Sequence, residues 1–231
     1  MPLFDAPEHV RPIRQRVLEF IEQKIYPVEH DLDACDRDAL MPRLRALGAE
    51  AKRAGLWALG HPKEIGGQGL PFLDYVYVNE IVGRSEYAMV ALGTHSLQDS
   101  IMLNLYAAPA WREKYLRPLV DGDVYPSFAM TEPDVASSDP TQLRTAANLE
   151  GDHWVINGRK WFTTGADRAA YTTVMCRTEP GVEGHAAYSM IIVPTDTPGY
   201  RIIRDTPVLG LDGGHCEVAY ENVHVPKENL L

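Results

Sequence analysis

The spacing of apolar side chains changes character about halfway along the chain. Early on, Val10, Ile13, Val17, Phe20 and Ile21 recur at the three-to-four-residue interval of a helix that buries one face. Pro27 limits how far that helix runs. A second helix is predicted from Met41 to Ala54, with Gly55 as its stop. The segment HPKEIGGQGLP, residues 61–71, breaks the pattern and reads as a loop. A third helix should run from Phe72 to Gly83. The stretch EYAMVALGTHSLQDSIMLNLYAA, residues 86–108, is apolar on several faces and predicts a helix buried in a bundle. Pro109 opens a shorter helix bearing Trp111, Tyr115, Leu116 and Leu119, which Asp121-Gly122-Asp123 closes.

Beyond residue 124 the period falls to two. Residues 153–164, HWVINGRKWFTT, read as two short strands joined by Asn157-Gly158, a hairpin signal. YTTVMCRT, AYSMIIVP and HCEVAYENVHVP read as further strands between Gly- and Pro-rich turns. The prediction is an α+β chain: an all-helical bundle domain over residues 1–123, then a small antiparallel β-barrel or sandwich domain over 124–231.

Composition narrows the field. The 231 residues are 45% apolar and 23% charged, which suits a globular protein with a sizeable core. A net charge of −10 with scattered Lys and Arg argues against a nucleic-acid surface. No segment nears the ~18 apolar residues of a membrane span, and MPLFDAPEHVRPIRQ lacks the apolar core of a secretory signal. Cys35, Cys176 and Cys216 fit neither a disulfide framework nor a metal-ligand spacing, so no metal and a reducing, cytoplasmic setting are expected.

The chemistry concentrates in FAMTEPDVASSD, residues 128–139, where Thr131, Ser137 and Ser138 follow a short apolar stretch. Taken alone, this is an ordinary turn whose hydroxyls bond local backbone, or a loop built to hydrogen-bond something polar and flat. Other candidates are weaker. Nothing near His95 or His185 in sequence orients either ring, so neither is assigned a role. Glu80 and Glu86 read as solvated or capping acids, and Cys176 as a small core residue. The glycines at 66–69 lack the strand-turn-helix context of a dinucleotide fingerprint.

Five segments in order decide between the readings. PKEIGGQGL at 62–70, FAMTEPDVASSD at 128–139, INGRKWFTTGA at 156–166, MIIVPTDTPG at 190–199 and ENVHVPKENLL at 221–231 together resemble the N-terminal and middle domains of the acyl-CoA dehydrogenase family. The resemblance implies non-covalently bound FAD. It implies that Phe128, Met130 and Thr131 line the flavin ring, with Thr131 bonding its pyrimidine oxygens. Phe162, Thr163 and Thr164 would lie beside the ring, with the Thr164 hydroxyl near N5. Ser138 would reach the flavin pyrophosphate or the pantetheine of the substrate. The loop is one residue longer than the commonest glycine-rich version, which leaves Ser137 or Ser138 for the phosphate contact.

The resemblance further implies α,β-desaturation of an acyl-CoA thioester, an electron-transfer acceptor protein as partner, and a homo-oligomer. No catalytic residue is assigned in this chain, because the family's base belongs to a C-terminal helical domain, and the chain reads as a portion of a longer protein that is inactive alone. Two rival functions are an acyl-CoA oxidase-like flavoenzyme and a non-catalytic flavin- or acyl-CoA-binding module.

Overall fold

A computed structural model describes residues 5–208 and 214–231. The chain divides into two compact units: one runs to Ile101 and takes in Val120–Gly122, the other comprises Met102–Leu119 and Asp123–Leu231.

The first unit is helical. Helix α1 (Arg11–Phe20) passes through a π-helical turn, Ile21–Ile25, into α2 (Tyr26–Asp33). The π turn explains how the run survives Pro27. Its wider bonding lets the Tyr26 N–H reach back to Ile21 O, and Pro27 falls in the first turn of α2, where a missing N–H costs little.

Helix α3 (Arg37–Arg53) starts earlier than its apolar pattern suggests, because the Asp36 carboxylate accepts from Ala39 N–H at 2.8 Å and caps it. It ends as predicted. Gly55 adopts φ +65°, its N–H donates to Lys52 O, and Leu56 N–H donates to Ala51 O, the paired bonds of a left-handed C-terminal cap. Helix α4 (Phe72–Val82) lies where expected. Val17, Ile21, Ile25, Val78 and Ile81 are fully buried together, each stabilising the fold by about 1.5–3 kcal/mol relative to exposure.

The long buried helix predicted over 86–108 is broken in two, α5 (Ala88–Ala91) and α6 (Leu97–Tyr106). Gly93 is the cause. It takes φ +67°, and a Cβ there would fall 2.5 Å from the Trp57 ring. The preceding Leu92 carbonyl accepts from Ala58 N–H, so Trp57 and its neighbours occupy the path of a continuous helix.

Farther along, α7 (Pro109–Trp111) runs through another π turn, Arg112–Leu116, into α8 (Arg117–Asp121), which carries Pro118. Leu103, Ala107, Tyr115 and Leu119 pack on Tyr171 and Ile192 of the sheet. The seven strands are β1 (Pro126–Ala129), β2 (Ala146–Glu150), β3 (His153–Thr164), β4 (Tyr171–Arg177), β5 (Tyr188–Pro194), β6 (Tyr200–Asp205) and β7 (His215–Pro226).

The sheet is mixed where a purely antiparallel one was expected: β4 pairs parallel with β1 and with β2, and the remaining pairs are antiparallel. The pairings β1–β4, β4–β2, β2–β3 and β3–β1 return to their starting strand, which closes the sheet as a barrel does.

The hairpin expected at Asn157-Gly158 does not form. β3 runs straight through, and the turn lies at Gly151-Asp152, with Gly151 at φ +62°. Gly158 serves instead at a register shift against β7, at φ +155°. A Cβ there would fall 2.3 Å from Thr145 Oγ1.

Candidate functional site

The two signature segments meet where β1 and β3 come together. Phe128 on β1 stands opposite Thr164 on β3, and Thr164 also pairs with His215 on β7. The Thr164 carbonyl accepts from Ser127 Oγ at 2.7 Å, and its hydroxyl lies 2.9 Å from His215 Nδ1. Just beyond β1, Thr131 Oγ1 donates to Trp161 O at 2.8 Å while Trp161 N–H donates back to Thr131 O. The Thr131 hydroxyl is therefore engaged in holding the two segments together.

A bulge aims the side chains of β3. Lys160 pairs with Val218 and Thr163 with Cys216, so Trp161 and Phe162 together oppose Glu217. The extra residue reverses the alternation. Lys160 and Thr163 are buried, and Phe162 and Thr164 face outward. Phe162 takes φ +48°, a left-handed conformation that is costly for a residue with a Cβ. The residue is 42% exposed, and its ring tilts against Trp161 at a centroid distance of 4.7 Å. The bulge thus turns an aromatic ring outward beside a hydroxyl.

Beneath this surface lies a buried ion pair absent from the sequence reading. Lys160 Nζ is 2.9 Å from Glu132 Oε1 and also donates to Met130 O at 2.7 Å. Glu132 further accepts from the Arg144 and Thr145 N–H groups at 2.7 and 2.8 Å. Burial pushes the Glu132 carboxyl up, yet the Lys160 charge and these donors outweigh it and hold it below the ordinary carboxylate value. Both residues lie inside the signatures, and the signal available was a charge at an inward strand position.

The Ser137 hydroxyl is spent within its loop: it accepts from Glu132 N–H at 2.8 Å and faces the Glu132 and Val135 carbonyls at 3.3 Å. Ser138 is exposed, and Met130 half-buried. Thr163 is fully buried, its hydroxyl without a hydrogen-bond partner among the described residues. Asp139 caps the short turn after the loop, accepting from Thr141 N–H at 3.0 Å. Beside the loop opens a groove of about 530 Å³, lined by Asp134, Arg144, Arg159, Arg201 and Glu221 among others.

The residues set aside in sequence have ordinary surroundings. Glu80 binds Arg14 and Arg84, Glu86 and His185 are exposed, and His95 lies in the turn before α6. Cys176 is buried, and burial pushes its thiol up to about 12, as suits a small core residue.

Two family profiles match the chain: the acyl-CoA dehydrogenase N-terminal domain over residues 7–123 and the acyl-CoA dehydrogenase middle domain over residues 127–223. The Mycobacterium tuberculosis protein named probable acyl-CoA dehydrogenase FadE2 is 40% identical over 94% of this chain and 56% of its own length. The mouse (Mus musculus) acyl-CoA dehydrogenase family member 10 is 37% identical over 96% of this chain and 22% of its own. A solved Mycobacterium abscessus protein assigned as an acyl-CoA dehydrogenase superposes with a TM-score of 0.90 at 34% identity, covering 99% of this chain and 61% of that one. The chain thus spans only part of the length of these relatives. Two profiles matched in order, on a fold that brings both signatures to one surface, place the chain in the acyl-CoA dehydrogenase family.

Proposed function

We propose that this chain supplies the flavin-facing wall and part of the acyl-CoA site of an FAD-dependent acyl-CoA dehydrogenase. The observation that carries the reading is the β3 bulge, which turns Phe162 and Thr164 out together at the cost of a left-handed Phe162. A fold needing only a stable sheet gains nothing from that arrangement, whereas a flat heteroaromatic ring needs an apolar wall beside a polar contact.

In this reading Phe128, Met130 and Phe162 cover the ring, and the Thr164 hydroxyl contacts N5. Thr131 contributes through the backbone it fixes against Trp161, and Thr163 supports the wall from inside. With the Ser137 hydroxyl occupied in its loop, the phosphate or pantetheine contact falls to Ser138. FAD, when bound, supplies the acceptor for the hydride that leaves the β carbon of the thioester as a base takes the α proton. No residue of this chain is assigned as that base. An acyl-CoA substrate, an electron-transfer acceptor protein and a homo-oligomeric full-length enzyme belong to the same proposal. The names of the relatives support the substrate class.

The test is a titration of the chain with FAD, followed by flavin fluorescence and absorbance. Saturable binding that weakens on Phe162→Gly or Thr164→Val is expected. An unbound flavin, or binding indifferent to both changes, overturns the reading.

A further inference from the structure

We propose that His215 is the positioning residue for the Thr164 hydroxyl, an inference that rests on the flavin reading above. A threonine hydroxyl rotates freely about its Cβ–O bond and offers one donor and two acceptor directions. On an exposed strand position it would ordinarily turn to water. Here it has a protein partner. Thr164 and His215 stand in register on antiparallel β3 and β7, and Nδ1 lies 2.9 Å from Oγ1.

Three further contacts hold the pair. Ser127 Oγ occupies the Thr164 carbonyl, Gly165 N–H donates to Gly214 O at 2.7 Å, and Thr206 N–H donates to His215 O at 2.9 Å. Both partners of the hydroxyl contact are therefore fixed at the backbone, which keeps the two side chains within reach of each other.

The chemistry of the imidazole makes the contact useful in both directions. With the proton on Nδ1, His215 donates to Oγ1 and leaves the threonine proton free for a ring-nitrogen acceptor. With the proton on Nε2, Thr164 donates to Nδ1 and presents its lone pairs to a ring N–H. One histidine thus suits the Thr164 hydroxyl to either hydrogen-bonding state of N5 by exchanging tautomers.

The test compares the wild-type chain with His215→Ala, His215→Asn, Thr164→Val and the His215→Ala/Thr164→Val double variant, each titrated with FAD and read by dissociation constant and flavin absorption band. His215→Asn keeps an amide near the position of Nδ1. The expected result is a loss of FAD affinity of a few-fold to about tenfold in His215→Ala, the size of one net hydrogen bond, with a band shift in the direction seen for Thr164→Val. His215→Asn should restore the wild-type band, and the double variant should be no weaker than Thr164→Val alone. In the flavin-free chain, ¹⁵N shifts of the His215 ring should move on Thr164→Val. If Thr164→Val alters the band and His215→Ala does not, or if the two losses add, the proposal falls and the flavin reading stands. A wild-type chain that leaves FAD unbound overturns both.

Discussion

Lys160 and Glu132 form an ion pair shut away from solvent, 2.9 Å apart, that ties the loop after β1 to the middle of β3. Removing one member of such a pair strands the other charge, which typically costs about 3–5 kcal/mol. Lys160→Met should therefore destabilise the chain by about that much in urea unfolding. It should also weaken FAD binding, because the loop and the bulge lose their common anchor. A change below about 1 kcal/mol would show that water reaches Glu132.

The same pair sets an acid limit. The folded Glu132 carboxyl titrates below its ordinary value of 4.5, so the folded state binds that proton less readily than the unfolded one. Its contribution is fully present above about pH 4.5 and is lost as pH falls through the lowered folded value. Glu132→Gln should start less stable at neutral pH and lose less on acidification. Parallel stability curves for the two proteins below pH 4.5 would contradict this.

His61 predicts a second pH effect at milder acidity. Its ring is fully buried with Nε2 3.1 Å from Ser96 Oγ, and burial lowers its pKa from 6.5 to about 4. The folded state resists the proton that the unfolded chain accepts, so stability falls as pH drops from about 6.5 towards 4. Acidifying from neutral pH to about pH 5 should cost about 2 kcal/mol through this group. His61→Gln should flatten that part of the curve, as measured by urea midpoints across the range.

Phe162 separates stability from binding. Glycine at φ +48° relieves left-handed strain of about 1–2 kcal/mol but adds about 0.5–1 kcal/mol of unfolded-chain entropy, so Phe162→Gly should leave stability within about 1 kcal/mol of wild type. FAD affinity should fall with the loss of the ring. A large loss of stability instead would mean that Phe162 serves the core.

Gly158 makes the opposite case. Alanine there meets Thr145 Oγ1 at 2.3 Å in a backbone conformation that disfavours any Cβ. Gly158→Ala should cost more than about 1 kcal/mol, since neither strand can retreat without opening the β2–β3 ladder. Thermal unfolding of the two proteins checks it.

Much of this architecture was legible in the apolar periods. The stop at Gly55, helix α4 and the strands β4, β5 and β7 follow from local pattern alone. The misreadings share a cause, a distant residue overriding a local signal. Asn157-Gly158 has hairpin chemistry, yet the Gly is required by Thr145 pressing from just before β2. The apolar run over 86–108 looks like one helix until Trp57 claims the space at Gly93. At the candidate site the signatures pointed to Phe162 and Thr164, but His215 lies outside both of them. Only the β3–β7 register brings it to the hydroxyl.

The closed circuit of β1, β4, β2 and β3 has a further consequence for how the protein behaves at high concentration. Among the described strands, β5 and β6 are left with an open side, the places where another chain could add a strand. β5 is covered by residues 229–231: Leu231 N–H donates to Met190 O, Asn229 Nδ2 donates to Ile192 O, and Leu230 bridges to Ile191. β6 is guarded by charge, through Arg201 and Arg204 bound to Glu221 and Glu217. Shaving off residues 229–231 would therefore unmask Met190-Ile191-Ile192-Val193, an uncharged, β-prone ribbon, and make the chain more prone to clumping.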